Sequence, residues 1–428
     1  MCEDFGIKIG QESHVDDAFV SDQNLKYVVL REWQTKAIEF FWKNNGNVVF
    51  EIVSGGGKTY CAIEIIKQIL KQNPKFYVLI VVPKNVILER TWFPELCGNG
   101  FTMAQVGVYY GFAKEVRQIT ITNMQNVTNL DLSMFDFVIF DEVHNYACSE
   151  RLFKVLEYPF KYKLGLSATV ERIDNNHWRM LKAFDYNKFV YTPKQALRDN
   201  VLNQFNFINV AIRMDPISFE KYLELTQEIN VIIQQGGGYS RILNGTAGEA
   251  LRSALYKKTN ERKQLVLNYP LKMNALQQIC KMHEHEKTLV FNEYNKTTSM
   301  CYFELLDVGI KAKVIHSGIP KKDIDKTLND YMRDRFNILL ATKVLDEGYN
   351  LPAISVAVIQ AGNSTARQTI QRLGRVLRKK DEPSMLYQIF IKDTMEEEQA
   401  RTRSVLFKDL CTDYREFMFT REKGFEEG

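Results

Sequence analysis

The run NVVFEIVSGGGKTYCAIEIIKQIL constrains the fold of this chain more than any other stretch. An apolar strand passes through a glycine turn into an amphipathic helix, and that hand-over belongs to parallel sheets built from βαβ units. The alternation continues on both sides of a helical interruption. Strands are expected at 47–53, 76–82, 119–123, 135–140 and 163–168, then again at 287–291, 313–316, 336–341, 355–360 and 385–391. Helical segments such as 58–72 separate them. The expectation is an α/β chain in which one parallel-sheet architecture occurs twice.

Between the halves, 218–235 reads as a helix and leads into GGGYSRILNGTAGEALRSALYKKTNERKQ, where glycines break the alternation. From 236 to 268 this stretch carries Arg241, Arg252, Lys257, Lys258, Arg262 and Lys263 against Glu249 and Glu261, a local excess equal to the net charge of +4 of the whole chain. Two readings stay open, a solvated helical hairpin and a mobile element that contacts nucleic acid. The segments expected are an extension over 1–29, a first α/β unit over 30–214, the basic insertion over 215–268, a second unit over 269–393 and a helical tail over 394–428.

Three constellations carry chemistry. Gly55, Gly56 and Gly57 allow backbone N–H groups to approach phosphates, Lys58 neutralises their oxygens, Thr59 offers a hydroxyl to Mg²⁺, and the helix N-terminus adds its dipole. Ile52 stands where the longer GxxxxGK[ST] pattern has its first glycine, so the match is to the GxGKT form. The apolar strand FDFVIFDEVH ends in Asp141 and Glu142 at the edge where parallel sheets bind ligands; Asp141 suits Mg²⁺ and Glu142 suits a base for the attacking water. In QRLGRVLR, Gln371, Arg375 and Arg378 fall at helical spacings on one face, placed to stabilise charge on a transferring phosphoryl group.

Taken in order along 30–378, these motifs resemble the superfamily 2 helicases. LREWQTKAI is similar to the Q motif, with Arg31 and Gln34 toward adenine; SGGGKT resembles motif I, DEVH motif II, SAT motif III, TLVFNEY motif IV, ATKVLDEGYNLP motif V and QRLGRVLR motif VI. The LRxWQ start, the DEVH box and GLSAT followed by Arg172 and Asp174 look most like the XPB-like and phage branch-migration helicases. The resemblance implies two RecA-like domains with ATP and Mg²⁺ in the cleft between them and nucleic acid across both. It implies coupling roles for His144, Ser167 and Thr169 and an ATP contact near Gly348. It also implies strand contacts from Pro83, Lys84, Thr122, Asn123, Gln125, Asn292, Ser317, Gly318, Thr342 and Lys343. Asn350 departs from the Asp usual two residues after the motif V glycine, which weakens an expected ribose contact. His144 in the box points to DNA rather than RNA.

Composition narrows the alternatives. No apolar run approaches the roughly 18 residues of a membrane span, and MCEDFGIKIGQESH lacks a secretion-signal layout, so a cytoplasmic protein is expected, or one of the host cytoplasm if phage-encoded. Seven cysteines without a CxxC pair indicate neither a zinc site nor a disulfide framework, and His283 with His285 reads as a solvated helix end. The function expected is an ATP-dependent helicase or translocase working as a monomer on forked, branched or single-stranded DNA. The alternatives are an RNA-remodelling ATPase and the motor subunit of a nuclease or restriction complex.

Overall fold

The computed structural model describes residues 29–172, 174–342, 351, 353–360 and 382–427. Within them, two eight-stranded sheets form. The first contains β1 (Asn47–Ile52), β2 (Val78–Val82), β3 (Val106–Tyr110), β4 (Ala113–Lys114), β5 (Ile119–Asn123), β6 (Phe137–Asp141), β7 (Tyr162–Ser167) and β8 (Lys188–Tyr191). Their spatial order is β4-β3-β5-β2-β6-β7-β1-β8, and every pair except β3–β4 is parallel.

Sequence accounts for the order of burial. β2 (VLIVV) and β6 (FVIFD) are buried at every residue, as strands covered on both faces must be, and both lie in the middle of the sheet. The helix Lys58–Gln72 turns Cys61, Ala62, Ile65, Ile66 and Ile69 toward them at helical spacing. Only Tyr60, Lys71 and Gln72 of this helix are exposed.

The second sheet contains β9 (Phe205–Ile212), β10 (Thr288–Phe291), β11 (Ala312–Ile315), β12 (Ile338–Ala341), β13 (Val356–Ile359), β14 (Ser384–Ile391), β15 (Asp413–Thr420) and β16 (Gly424–Glu427), in the order β11-β12-β10-β13-β14-β9-β15-β16. Two expectations change here. β9 was grouped with the first unit, ending at 214, yet it pairs in parallel with β14 and β15. FNFINVAI is buried over most of its length and therefore needs a neighbour on each side, and only the second sheet supplies them. The tail expected to be helical holds the helix Met395–Lys408 followed by β15 and β16, an antiparallel pair closing that sheet's edge. Phe417, Phe419 and Phe425 pack there, an apolar pattern at strand rather than helix spacing.

A buried polar network fastens the tail helix. Gln388 accepts from Arg403 Nε at 2.5 Å and donates to Asn209 Oδ1 at 2.9 Å, while Asn209 donates to Ser404 Oγ at 2.9 Å. The interruption between the halves forms the helices Pro216–Gln235 and Glu249–Leu267, packed through a small core of Ile229, Ile242 and Leu255. Lys258 pairs with Glu228 at 2.7 Å, Arg262 donates to Thr226 Oγ1 at 3.1 Å, and Lys263 lies 4.1 Å from the Tyr294 ring. The basic insertion is therefore a packed helical hairpin. Among the described residues no helix is long and apolar enough to cross a membrane.

Candidate nucleotide site and strand-contact face

The nucleotide motifs converge because their strands are neighbours. β7 lies between β6 and β1, with Asp141 in register with Leu166 and Ser167 in register with Glu51. The loops leaving β1, β6 and β7 therefore open at one edge of the sheet. That is where an open α/β sheet receives its ligand.

The loop after β1 needs its glycines. Gly57 has φ +105° and caps the helix Lys58–Gln72; a Cβ on it would meet Gln34 Nε2 at 3.0 Å, and one on Gly56 would meet the Val53 carbonyl oxygen at 2.9 Å. Gln34 donates to the Gly57 carbonyl at 3.4 Å and Arg31 to the Gly56 carbonyl at 3.3 Å. Both residues thus brace the phosphate loop itself. Lys58 Nζ reaches the Ile52 carbonyl at 3.4 Å, too long a contact to satisfy an ammonium, and Thr59 follows it in the first turn of the helix.

Asp141 is buried at the end of β6. Its Oδ2 accepts from the Trp92 indole at 2.9 Å and its Oδ1 from the Glu142 N–H at 3.0 Å. Burial, and after it the neighbouring Glu142 charge, hold this carboxyl above the usual carboxylate range, while Trp92 and Lys58 act in the opposite sense. Each carboxylate oxygen has a further lone pair to give, and among the described residues no three His, Cys, Asp or Glu side chains converge. That donor set fits Mg²⁺, which is held by one or two carboxylates together with substrate phosphates.

Glu142 sits at φ +48°, a left-handed conformation that costs a non-glycine residue free energy and recurs at active sites. Its Oε2 is buried, makes no hydrogen bond and lies 3.4 Å from His144 Nδ1. A bare, oriented carboxylate oxygen is what a base for water requires. His144 Nδ1 is also 2.9 Å from Ser167 Oγ, whose hydroxyl donates to the Thr169 carbonyl at 2.5 Å. A chain of contacts thus runs from Glu142 through His144 and Ser167 to Thr169.

Several partners in this site were not assigned from sequence. Arg172 donates to the His144 carbonyl at 2.6 Å while its guanidinium forks onto Asp174 at 2.9 and 2.6 Å. Glu51 accepts from the Val170 N–H at 3.0 Å and from Lys188 at 2.8 Å, tying the loop after Ser167 to β1. Trp92 is the third. A tryptophan in an apolar stretch reads as core, and its hydrogen bond depends on a turn that no periodicity reveals.

The expected strand contacts collect at the C-terminal ends of β2 and β5 in the first sheet and of β10, β11 and β12 in the second. Lys84, Gln125, Ser317 and Gly318 are exposed and Pro83 is partly so. The others are placed differently. Thr122 is fully buried and donates to the Tyr109 carbonyl at 2.7 Å, and Asn123 Oδ1 caps the N–H groups of Gln125 and Asn126 at 3.0 and 2.8 Å. Asn292 is fully buried with neither side-chain atom hydrogen bonded, and Thr342 is buried too. Thr122 and Asn123 thus bond to the protein's own backbone, and all four side chains are buried in this structure. Gln371, Arg375, Arg378, Lys343 and Gly348 lie outside the described residues.

Comparisons with known proteins agree with this geometry. Residues 27–172 match the family model described as type III restriction enzyme, res subunit, and residues 271–380 match the helicase conserved C-terminal domain. The chain is 24% identical to the DNA 3'-5' translocase XPB2 of Sulfurisphaera tokodaii over 88% of its own length and 84% of that protein. It is 23% identical to the DNA 3'-5' helicase XPB of Kineococcus radiotolerans over 90% of its own length and 64% of that protein, so it spans under two thirds of the longer relative. Among solved structures, the helicase domain of Pyrococcus furiosus Hef shares the fold, with a TM-score of 0.64 at 17% identity over 87% of this chain and 98% of that one.

Proposed function

This chain belongs to the superfamily 2 helicases, and from that premise we propose that it converts ATP hydrolysis into movement along one strand of DNA, as a translocase of XPB type that remodels forked, bubble or junction substrates. One observation carries the reading most directly. The contacts from Glu142 through His144 and Ser167 to Thr169 link the residue suited to activate water with a loop leaving β7. A change at the γ-phosphate has a physical route out of the site.

In this reading Lys58 and the glycine loop hold the β and γ oxygens, and Glu142 takes the proton of the attacking water. Mg²⁺, bound by Asp141 and Thr59, would supply charge neutralisation at those oxygens. Gln371, Arg375 and Arg378 approach from the second half when the cleft closes and withdraw after hydrolysis. Lys84 and Gln125 on the first half, and the exposed Ser317–Gly318 turn on the second, grip the strand by its phosphates, which positions it without reading sequence. Opening and closing of the cleft then moves one grip relative to the other.

The test measures ATP hydrolysis and strand displacement on DNA with single-strand tails of each polarity, on forks and on four-way junctions, beside matched RNA. Hydrolysis stimulated by DNA and ATP-dependent displacement are expected. Stimulation by RNA alone would replace this reading with RNA remodelling, and hydrolysis indifferent to any nucleic acid would remove both.

A further inference from the structure

The hydrogen bond from Trp92 to Asp141 joins a core side chain to the acid suited to Mg²⁺, and the segment that carries Trp92 reaches three different places. Trp92 itself is fully buried, and its indole N–H donates to Asp141 Oδ2 at 2.9 Å. It closes a π-helical turn, Leu88–Trp92, after which the Phe93 N–H bonds back to the Leu88 carbonyl. Such wide turns are rare, occur mostly as single turns and are frequent at functional sites.

The same turn faces the second half of the molecule. Glu89 accepts from Lys321 at 3.0 Å and Arg90 pairs with Asp325, both partners lying on the helix Lys321–Met332. That helix follows Ser317 and Gly318. At its other end the segment starts from Lys84 and Asn85, and the Asn85 side chain accepts from Asn123 at 2.6 Å, the residue that caps the Gln125 loop. One short stretch therefore meets the strand-contact loops of the first half, a helix of the second half, and the acid of the nucleotide site.

We infer that Trp92 is a positioning residue that sets the orientation of the Asp141 carboxylate according to what the strand-contact face holds, so that segment 84–92 carries strand occupancy to the nucleotide site. The inference rests on the translocase reading above. With Oδ2 held by an indole locked in the core and Oδ1 held by the Glu142 N–H, the carboxylate cannot rotate unless the π turn moves. A strand drawn onto Lys84, or a shift of the helix Lys321–Met332, acts on that turn directly.

The test uses the full chain, a fluorescent non-hydrolysable ATP analogue and oligo-dT. Affinity for the analogue is measured with and without Mg²⁺ and with and without DNA, alongside DNA-stimulated hydrolysis. In Trp92→Phe, which keeps an aromatic ring and loses the N–H donor, affinity without Mg²⁺ should match wild type. Tightening by Mg²⁺ should fall about fivefold, and further tightening by DNA should be lost. Incorporating the benzothienyl isostere of tryptophan at position 92 keeps the ring shape and removes only the donor, and it should behave likewise even if Trp92→Phe folds poorly. Variants that respond to Mg²⁺ and DNA as wild type does, with or without a loss of thermal stability, would reduce Trp92 to packing and overturn the inference. A wild-type chain unresponsive to DNA would instead overturn the translocase reading.

Discussion

Lys272 is fully buried, and its ammonium lies 2.7 and 3.0 Å from the two oxygens of Glu396. It belongs to the helix Pro270–Met282, while Glu396 opens the tail helix and also accepts the Ile391 N–H at 3.1 Å. The pair thus fastens two helices at the end of β14. Lys272→Met leaves a carboxylate without its cation where water does not reach, and breaking a buried pair from one side costs about 3–5 kcal/mol. At roughly 2–4 °C per kcal/mol for a unit of this size, the melting midpoint of the second half should fall by about 10 °C. Combining Lys272→Met with Glu396→Gln removes the charge while the amide oxygen still accepts from Ile391. Neutral replacement of both partners of a buried pair is often close to neutral in net stability, so a coupling of about 2 kcal/mol or more should return. Calorimetry on the four proteins of this cycle measures it. A single variant within about 1 kcal/mol of wild type, or a double variant no better than the worse single, would refute the picture of a dry, charged clasp.

Four further outcomes are expected. Lys58→Ala should weaken nucleotide binding, whereas Glu142→Gln should bind nucleotide and lose about 10²–10⁴-fold in turnover; undiminished turnover would show that another group activates the water. Because burial and the Glu142 charge raise the folded-state pKa of Asp141, the folded protein holds an extra proton above the unfolded value, and stability falls as pH rises through that window. Asp141→Asn, without nucleotide or Mg²⁺, should therefore melt higher than wild type at pH 8, with the gap closing toward pH 4; a gap independent of pH would contradict the assignment. Burial pushes the thiols of Cys61, Cys280 and Cys301 up to about 12, so at pH 8 alkylation mapped by mass spectrometry should mark the exposed Cys148 well before them. Charge reversal in Arg90→Glu should loosen the two halves, detectable by small-angle scattering, with restoration in the swap with Asp325→Arg; this pair is about one-third exposed, so the stability change should stay near 1 kcal/mol.

What the sequence made legible was the part where chemistry and periodicity coincide. The strand ending at Ile52, the glycine loop and the helix from Lys58 each need a distinct residue pattern, and the apolar β6 ends on Asp141 with Glu142 directly after it. Placement was less legible than type. Nothing local in FNFINVAI says that its partners are β14 and β15, because pairing is decided by which neighbours can bury both of its faces. Side-chain direction was hidden for the same reason. Thr122, Asn123, Asn292 and Thr342 stand at the strand ends where contacts were expected, yet all four are buried. Trp92 was missed because its reach to Asp141 depends on the π turn, whose fifth-residue hydrogen bond departs from the helical repeat that sequence patterns follow.

The position of β9 also bears on how the molecule comes into being. The first sheet is complete once β8 has left the ribosome, and the nucleotide loop can close while synthesis continues. β9 emerges soon afterwards, but both of its ladder partners, β14 and β15, are made only after β10, β11, β12 and β13. Until then a largely apolar strand waits with two open edges, a template for pairing with any other extended chain. Birth order therefore completes the strands of the first sheet before the second sheet can close. Chaperone demand should track the interval between them, and slowing translation beyond β9 should raise aggregation more than slowing it before β8.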